Sequence, residues 1–300
     1  MKRIDHLRTR AAIMRLIRSF FFERDYLDVE TPIRIPAPIP EAHIDPVESE
    51  GFCLQASPEI CMKQLLAEGL NRIFQIARVF RNHERGHKHL PEFTLLEWYT
   101  QGADYTDLMN DLESLVQYLA QGLGRGNTLT FQGIAMDLSS PWDRLTVEEA
   151  FEHYGSMSLG QALLTDRFDE VMGLEIEPRL GCNKPVFLYD YPWEKASLAR
   201  LKPENTAVAE RVEMYIAGLE LANGFSELTD PAEQILRFES EHRLRTILGK
   251  KNYPMPTRFI DALHTMPSAA GIAVGLDRLV MLFCDAPTID EVVAFVQEEL

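Results

Sequence analysis

Residues 72–99 concentrate side chains that could handle a nucleotide. They read RIFQIARVFRNHERGHKHLPEFTLLEWY, two apolar strand-like runs joined by a loop rich in charge and histidine. Arg81 can pair with phosphate or carboxylate oxygens, and Phe93 offers a ring face on which a base can stack. Taken alone, such a loop is more typical of a solvated turn, so other parts of the chain must decide its role.

A second candidate site contains two acids that are seven residues apart. Glu213 and Glu220 would lie on opposite faces of one straight strand, but a hairpin brings them together. If residues 217–218 form a two-residue turn, Tyr215 faces Glu220, and Glu213 becomes its diagonal neighbour on the same face. With Asn223 nearby, the pattern predicts an oxygen-rich site suited to Mg²⁺ that bridges nucleotide phosphates.

Three segments, taken in order, resemble the signature motifs of class II aminoacyl-tRNA synthetases. The segment FRNHERGHKHLPEF resembles the second motif, with Arg81 near its start and His89 and Phe93 at its end. Residues 20–35, FFFERDYLDVETPIRI, resemble the first motif, which builds the dimer interface in that family. Residues 271–283, GIAVGLDRLVMLF, resemble the third motif, a small-residue strand that leads into a helix. Together the three motifs make the resemblance specific.

The resemblance implies activation of an amino acid by ATP, with Mg²⁺ held by Glu213 and Glu220. No general base is needed, because the attacking carboxylate is already ionised at neutral pH. The expected catalytic groups, which neutralise charge on the phosphates, are Arg81, His89 and Arg278. The residues expected to contact the nucleotide or its metal are Arg81, Glu84, His89, Phe93, Glu213, Glu220, Gly275 and Arg278.

Within class II the chain is most similar to the lysyl-tRNA synthetases. A lysine-like substrate needs carboxylates deep in its pocket and apolar walls along its stem. By resemblance, Glu97, Tyr99 and Glu227 hold the distal ammonium, and Glu59 meets the amine near the carboxylate. The full set of expected substrate contacts is Glu59, Glu97, Tyr99, Asn223, Phe225, Glu227 and Ala273.

The acceptor of the activated acyl group is the harder question. Lysyl-tRNA synthetases carry an anticodon-binding domain, whereas residues 1–300 are expected to form a single catalytic domain without one. That arrangement resembles the elongation factor P lysine ligases, which attach β-lysine to a lysine of that factor, and it disfavours tRNA. Ala273 stands where lysyl-tRNA synthetases have glycine. One methyl group discriminates by roughly 1 to 3 kcal/mol, and it could favour (R)-β-lysine over α-lysine.

Two departures from the family pattern keep other functions open. His83 stands where motif 2 has an acid, so either Glu84 takes that role, or His83 makes other contacts, or activity is impaired. Leu90 replaces a usual asparagine. The alternatives are a truncated lysyl-tRNA synthetase or another adenylate-forming ligase, and a non-catalytic paralogue that senses amino acids. A zinc cluster of His83, His87 and His89 is disfavoured because no cysteine lies near.

Composition sets further bounds. The chain has 300 residues, a net charge of −16 and 46% hydrophobic residues. This charge disfavours broad capture of nucleic acid, so docking of a polyanionic or acidic partner would need a local basic patch. Candidates for that patch are Arg85, Lys88, Lys250 and Lys251. The four cysteines show no CxxC spacing and are expected to be reduced. Without a signal peptide or apolar span we expect a cytoplasmic location. The resemblance to the first motif implies a homodimer.

The predicted fold class is α+β, a mainly antiparallel sheet of six or more strands flanked by helices. Apolar periodicity and capping signals, together with the motif positions, predict helices over residues 5–24, 58–68, 106–121, 146–154, 230–248 and 277–285. Residues 122–184 carry short helical patterns and no motif. We expect them to be an insertion packed against the sheet.

Overall fold

A mixed sheet of nine strands forms the centre of the protein, as seen in a computed structural model that describes residues 2–300. In this described part of the chain the strands are β1 (Leu27–Asp28), β2 (Arg34–Ile35), β3 (Glu48–Ser49), β4 (Phe52–Leu54), β5 (Arg72–Phe80), β6 (Glu92–Gln101), β7 (Thr128–Phe131), β8 (Ile134–Asp137), β9 (Asp143–Thr146), β10 (Val186–Pro192), β11 (Leu201–Lys202), β12 (Asn205–Ile216), β13 (Leu219–Ser226) and β14 (Ala269–Gly275).

The strand order of the large sheet is β1-β5-β6-β14-β13-β12-β10-β9, with β11 paired to β12. Only the outer pairs β1–β5 and β10–β9 are parallel, and every other pair in this sheet is antiparallel. Two small antiparallel sheets, β2-β4-β3 and β7-β8, lie apart from it. The predicted α+β class with a mainly antiparallel sheet is therefore confirmed.

The helices seen between residues 2 and 300 are α1 (Lys2–Phe22), α2 (Glu59–Ala67), α3 (Tyr105–Gly122), α4 (Val147–Tyr154), α5 (Leu159–Leu164), α6 (Phe168–Val171), α7 (Pro231–Ile247), α8 (Thr257–Leu263) and α9 (Leu276–Cys284). The six predicted helices are present, with ends that differ by three residues at most. The helices α5, α6 and α8 were not predicted, because each spans two turns or fewer and shows too little periodicity.

The hairpin β5–β6 gives the motif 2 loop a rigid base. Its register runs from Arg72 opposite Thr100 to Phe80 opposite Glu92. All side chains from Thr94 to Thr100 are buried, because β6 lies in the interior of the sheet with helices over both faces. A strand that is covered on both faces usually carries apolar side chains on both faces instead of alternating apolar and polar ones. A buried acid on such a strand is therefore unusual.

The second hairpin, β12–β13, turns at Ala217 and Gly218, as predicted. Both residues have positive φ, +52° and +67°, which is the left-handed geometry of a two-residue turn. Tyr215 lies opposite Glu220, but the register then shifts so that Glu213 lies opposite Asn223. This β-bulge was not predicted. It places Glu220 and Asn223, three residues apart, on the same face as Glu213.

Residues 122–184 contain the hairpin β7–β8, the edge strand β9 and the helices α4, α5 and α6. Side chains of this segment, including Phe151 and Phe168, form a core with Tyr215 and Leu188 of the main sheet. The strand β9 pairs directly with β10. The assignment of this segment as an insertion in a single domain stays a prediction.

Helices α1, α3 and α9 cover one face of the sheet, and α2 and α8 pack on the other. Asp277, at the start of α9, is 2% exposed and forms an ion pair with Arg10 of α1. Its Oδ2 also accepts a hydrogen bond from the backbone nitrogen of Thr94 at 2.7 Å. This contact fixes motif 3 against motif 2. Within residues 2–300 no helix has the length and apolar character needed to cross a bilayer.

Candidate active site

A cavity of about 550 Å³ lies over β6, β13 and β14 and under the loop that joins β5 to β6. It brings together most of the side chains that the sequence analysis singled out. Those that line it are Glu59, Arg81, Glu84, His89, Phe93, Glu97, Glu220, Asn223, Phe225, Ala273, Gly275 and Arg278. Tyr99, Glu213 and Glu227 do not line the cavity. Tyr99 contacts Glu97, Glu213 lies opposite Asn223, and Glu227 is linked to Glu59 through Lys63.

Arg278 spans the basic end of this cavity. Its Nη1 donates to the carbonyl oxygen of Glu220 at 2.7 Å, and its Nε donates to the carbonyl of Lys88 at 3.2 Å. Its Nη2 lies 2.6 Å from Nε2 of His89. These contacts join helix α9 to the motif 2 loop, and they hold the guanidinium beside the cavity where an anion would meet it.

The surroundings of His89 oppose a positive charge on its ring. Desolvation of the ring, followed by the charges of Arg278, Arg81 and Lys88, lowers its pKa to about 4. A neutral ring can accept a hydrogen bond from Arg278 through Nε2. The role of His89 in neutralising phosphate charge, expected from the sequence, stays a prediction.

Arg81 lies beside Phe93, with its guanidinium carbon 5.1 Å from the centre of the ring. Its Nη1 is 3.8 Å from Glu84. The buried Nε of Arg81 has no hydrogen-bond partner within residues 2–300. A desolvated guanidinium nitrogen without an acceptor is costly, so this geometry suits an incoming carboxylate or phosphate.

The irregular residue His83 is exposed and has a φ of +66°. This left-handed backbone lets the chain turn so that Glu84, and not His83, approaches Arg81. Of the alternatives left open by the sequence, the geometry favours the one in which Glu84 takes the role of the motif 2 acid. Leu90, the other departure, is 7% exposed and belongs to the main core.

The acidic end of the cavity begins at Glu97, which is fully buried. Ser57 Oγ donates to its Oε1 at 2.6 Å, and the Tyr99 hydroxyl donates to its Oε2 at 3.0 Å. Burial, followed by the negative charge of Glu59, raises the pKa of Glu97 to about 8. A carboxyl group in this state would become fully ionised when a cation enters beside it.

Glu227 lies in the same region and is 2% exposed. One of its oxygens, Oε2, forms an ion pair with Nζ of Lys63 at 2.5 Å, and neither Oε1 nor Oε2 has a partner in hydrogen-bond geometry in the described chain. Burial raises the pKa of Glu227 to about 8, although Lys63 opposes the shift. The Nζ of Lys63 is also 2.5 Å from Oε1 of Glu59. Lys63 therefore joins two of the expected substrate-binding acids.

The apolar part of the site is formed by Phe225 and Ala273. In the register of the sheet, Ala273 lies opposite both Glu97 on β6 and Asn223 on β13. Its methyl group is thus on the floor of the cavity, beside the acid expected to bind the distal ammonium. Phe225 lies opposite Gly271, whose missing side chain leaves room for the Tyr99 ring.

The proposed magnesium ligands lie on one face of the β12–β13 hairpin, but in different surroundings. The side chain of Glu220 is 41% exposed, whereas Glu213 is buried and accepts from Arg211 Nη2 at 2.5 Å and the Tyr215 hydroxyl at 2.6 Å. Desolvation and the charge of Glu213 raise the pKa of Glu220, and a third acid, Glu177, has its pKa raised to about 7.

These crowded carboxylates fit a hard divalent cation, because such an ion would relieve their mutual repulsion. The described residues hold no group of three or more His, Cys, Asp or Glu side chains arranged for a metal. A magnesium ion at Glu220 would therefore take most of its ligands from phosphates and water, as this ion commonly does.

Three of the four candidates for a local basic patch are neutralised by acids. Of these four side chains, only Lys88 forms no ion pair within residues 2–300. The pairs are Arg85 with Asp290 and Glu298, Lys250 with Asp45, and Lys251 with Glu48. These ion pairs reduce the positive charge that Arg85, Lys250 and Lys251 can offer a partner, and a local basic patch stays a prediction.

Several site residues were missed in the sequence. Lys63 follows Glu59 by four residues on α2, a spacing that signals a same-face pair. Ser57 precedes helix α2 and looks like an ordinary capping residue, so nothing in the sequence indicated that its hydroxyl donates to Glu97. Glu41 lines the cavity, and burial, opposed by Arg81 and reinforced by Glu59, raises its pKa to about 7. Glu41 lies in a proline-rich stretch without periodicity, and no local signal marks it.

Comparison with known proteins finds relatives that match almost the whole chain. A family model described as tRNA synthetases class II (D, K and N) matches residues 2–299. The chain is 39% identical to the elongation factor P–(R)-β-lysine ligase of Erwinia tasmaniensis, over 97% of this chain and 95% of that protein. Ligases of the same name from Klebsiella pneumoniae and Vibrio cholerae are 38% and 36% identical, with the same coverage.

Proposed function

Since this chain belongs to the family of class II tRNA synthetases (D, K and N), we propose that it is an ATP-dependent ligase acting on a lysine. It activates lysine or (R)-β-lysine as an aminoacyl-adenylate and transfers the acyl group to a lysine side chain of elongation factor P. The observation that carries the proposal is a single cavity with two unlike ends. Arginines lie at one end, and buried acids lie at the other.

The basic end is suited to the activation step. The substrate carboxylate attacks the α-phosphorus of ATP, an oxygen–phosphorus bond forms, and the bond to pyrophosphate breaks. Arg81 and Arg278 stabilise the charge that spreads over the phosphate oxygens, and Phe93 offers a face to adenine. Magnesium, when bound at Glu220 with Glu213 behind it, would supply further positive charge. His89 keeps Arg278 oriented through the contact at 2.6 Å.

The acidic end is suited to a substrate with two ammonium groups. Glu97 and Glu227 are both buried, and Oε1 of Glu227 lacks a donor, so a distal ammonium would satisfy it. Glu59 lies on the adjacent helix and would meet the amine near the carboxylate. The ring of Phe225 would pack along the aliphatic stem.

The transfer step forms an amide bond. The acceptor amine, once neutral, attacks the acyl carbonyl, and AMP leaves with the bonding pair of the acyl–phosphate bond. The amine must first lose a proton. We assign that role to Glu41, because it lines the cavity and has a pKa near 7, the range in which a carboxylate can act as a general base.

Elongation factor P is proposed as the acceptor because the most similar relatives reported above are named as ligases of that factor. The position of Ala273 beside Glu97 supports (R)-β-lysine as the preferred substrate. The exposed apolar side chains of Phe22, Leu27 and Ile33 in the motif 1 segment support a homodimer that covers them. A cytoplasmic location belongs to the same proposal.

Two assays test the proposal. ATP–pyrophosphate exchange with α-lysine and with (R)-β-lysine reports activation, and we expect exchange to be stronger with the β isomer. Incubation with elongation factor P, followed by mass analysis, should show one added lysine-sized residue. Absence of exchange with every lysine isomer would instead favour a non-catalytic paralogue. Charging of tRNA with no modification of the factor would favour a truncated synthetase.

A further inference from the structure

We propose that Lys63 is a positioning residue that acts as a built-in counter-cation of the substrate pocket. It fixes the separation of Glu59 and Glu227, and it leaves the pocket with the negative charge that a substrate with two ammonium groups requires. This inference rests on the proposed function and specifies how the pocket selects its substrate.

The geometry of Lys63 is that of a bridge. Its side chain is 1% exposed, and its Nζ lies 2.5 Å from Glu59 Oε1 and 2.5 Å from Glu227 Oε2. Glu59 is one helical turn away on α2, whereas Glu227 follows the end of β13. The ammonium thus ties a helix to the sheet at the point where the two expected amine-binding acids face each other.

The charge count explains why a buried cation belongs in this place. Glu59, Glu97 and Glu227 bring three negative charges when ionised, and Lys63 brings one positive charge. Two negative charges then remain, and they match the two ammonium groups of lysine or β-lysine. The substrate carboxylate is left to Arg81 at the other end of the cavity.

The protonation state of the empty pocket agrees with this count. Burial raises the pKa values of Glu97 and Glu227 to about 8, so these two acids favour their protonated forms at neutral pH in the absence of added cations. The two acids that contact Lys63 also raise its pKa above its ordinary value, despite burial, so its charge is permanent at neutral pH. Substrate ammonium groups would displace the protons that the acids hold.

The position of Lys63 also bears on substrate specificity. α-Lysine and β-lysine differ in the distance between their two amines, so a pocket that fixes two acids at a set separation favours one isomer. Lys63 fixes that separation because both acids contact the same nitrogen. A shift of this nitrogen would move the two subsites relative to each other without touching the nucleotide end.

Three variants test this role. Lys63→Met removes the charge and keeps most of the volume, and Lys63→Arg keeps the charge but moves its donors. Lys202→Met is the control, because it breaks a lysine–carboxylate pair with Asp190 at 2.6 Å, away from the cavity. Exchange kinetics with α-lysine and (R)-β-lysine are measured from pH 6 to 9, and calorimetry without ATP measures lysine binding directly.

For Lys63→Met we expect KM for both isomers to rise about tenfold or more, while KM for ATP stays within about twofold. The rising limb of kcat/KM against pH should move upward by about one unit, because the acids lose the cation that favours their ionised forms. Lys63→Arg should keep the pH limb but change the ratio of activities with the two isomers. Lys202→Met should behave as wild type.

Wild-type affinity, isomer ratio and pH profile in a folded Lys63→Met variant would overturn the inference. If that variant does not fold, an unchanged isomer ratio in Lys63→Arg would overturn it. Lack of exchange by the wild type, with calorimetric binding that still depends on Lys63, would count against the proposed function alone. Failure of the wild type to bind any lysine isomer would refute both.

Discussion

Replacing Gly271 by alanine should damage the distal ammonium subsite and spare the nucleotide end. A Cβ atom at this position would lie 2.1 Å from Cε1 and 2.2 Å from Cδ1 of the Tyr99 ring. It would also lie 2.6 Å from Oε1 of Glu227. The Tyr99 ring cannot yield easily, because it is 3% exposed and its hydroxyl is bonded to Glu97.

The magnitude follows from these contacts. Overpacking of a tight core commonly costs about 1 to 3 kcal/mol of stability, and the folded variant must displace the Tyr99 ring. Loss of the hydrogen bond from Tyr99 to the Glu97 carboxylate removes a further 1.5 to 3 kcal/mol or so of support for the charged form. Lysine binding should therefore weaken by roughly tenfold to a hundredfold.

The assay is ATP–pyrophosphate exchange with the lysine and ATP concentrations varied independently. We expect KM for lysine to rise while KM for ATP changes by less than about threefold. Gly160→Ala is the matched control, because its added methyl group meets no atom within 4 Å in helix α5. A folded Gly271→Ala enzyme with a wild-type KM for lysine, or with a parallel rise in KM for ATP, would refute this reasoning.

Four further predictions concern single positions. Ala273→Gly should shift the isomer preference toward α-lysine by about tenfold, read as the ratio of exchange kcat/KM values; an unchanged ratio would contradict the assignment. Arg278→Lys should lower the exchange rate by about a hundredfold with little change in KM for lysine. An equal rise in KM for lysine and for ATP would count against a role of Arg278 at the nucleotide end alone. Glu41→Gln should slow transfer to the acceptor more than exchange, and equal slowing would exclude its role as base. The pKa of Glu97 is about 8 in the folded protein and near 4.5 when unfolded, so the folded form holds the proton more tightly and stability should fall as pH rises from about 5 to 8. Thermal unfolding should show this fall in the wild type and a smaller one in Glu97→Gln, and identical slopes would argue against it.

Much of the frame of the site was readable from the sequence because it depends on local signals. The turn at residues 217–218 was predictable from the geometry of a two-residue hairpin, and the six longer helices from periodicity and motif position. Motif spacing indicated the hairpin whose loop begins with Arg81 and whose second strand carries Glu97. The cavity does bring these side chains together, while their chemical roles stay predictions until the assays above are done.

The features of the site that could not be predicted from the sequence depend on contacts between distant segments. The β-bulge in β13 depends on how two strands pair, and a single strand sequence does not show it. The lowered pKa of His89 follows from desolvation of its ring and then from the charge of Arg278, which lies 189 residues further along the chain. Likewise, Glu59 was expected to bind the substrate, but the sequence of α2 does not mark Lys63 as its buried partner, because the ion pair of Lys63 with Glu227 joins distant segments.

The most direct test of the account is mass analysis of elongation factor P after incubation with this protein, ATP and (R)-β-lysine. The account predicts a single lysine-sized addition on one lysine of the factor, dependent on ATP and reduced in Arg278→Lys. It predicts a smaller yield with α-lysine. An unmodified factor, under conditions in which the enzyme exchanges pyrophosphate with a lysine isomer, would contradict the proposed acceptor.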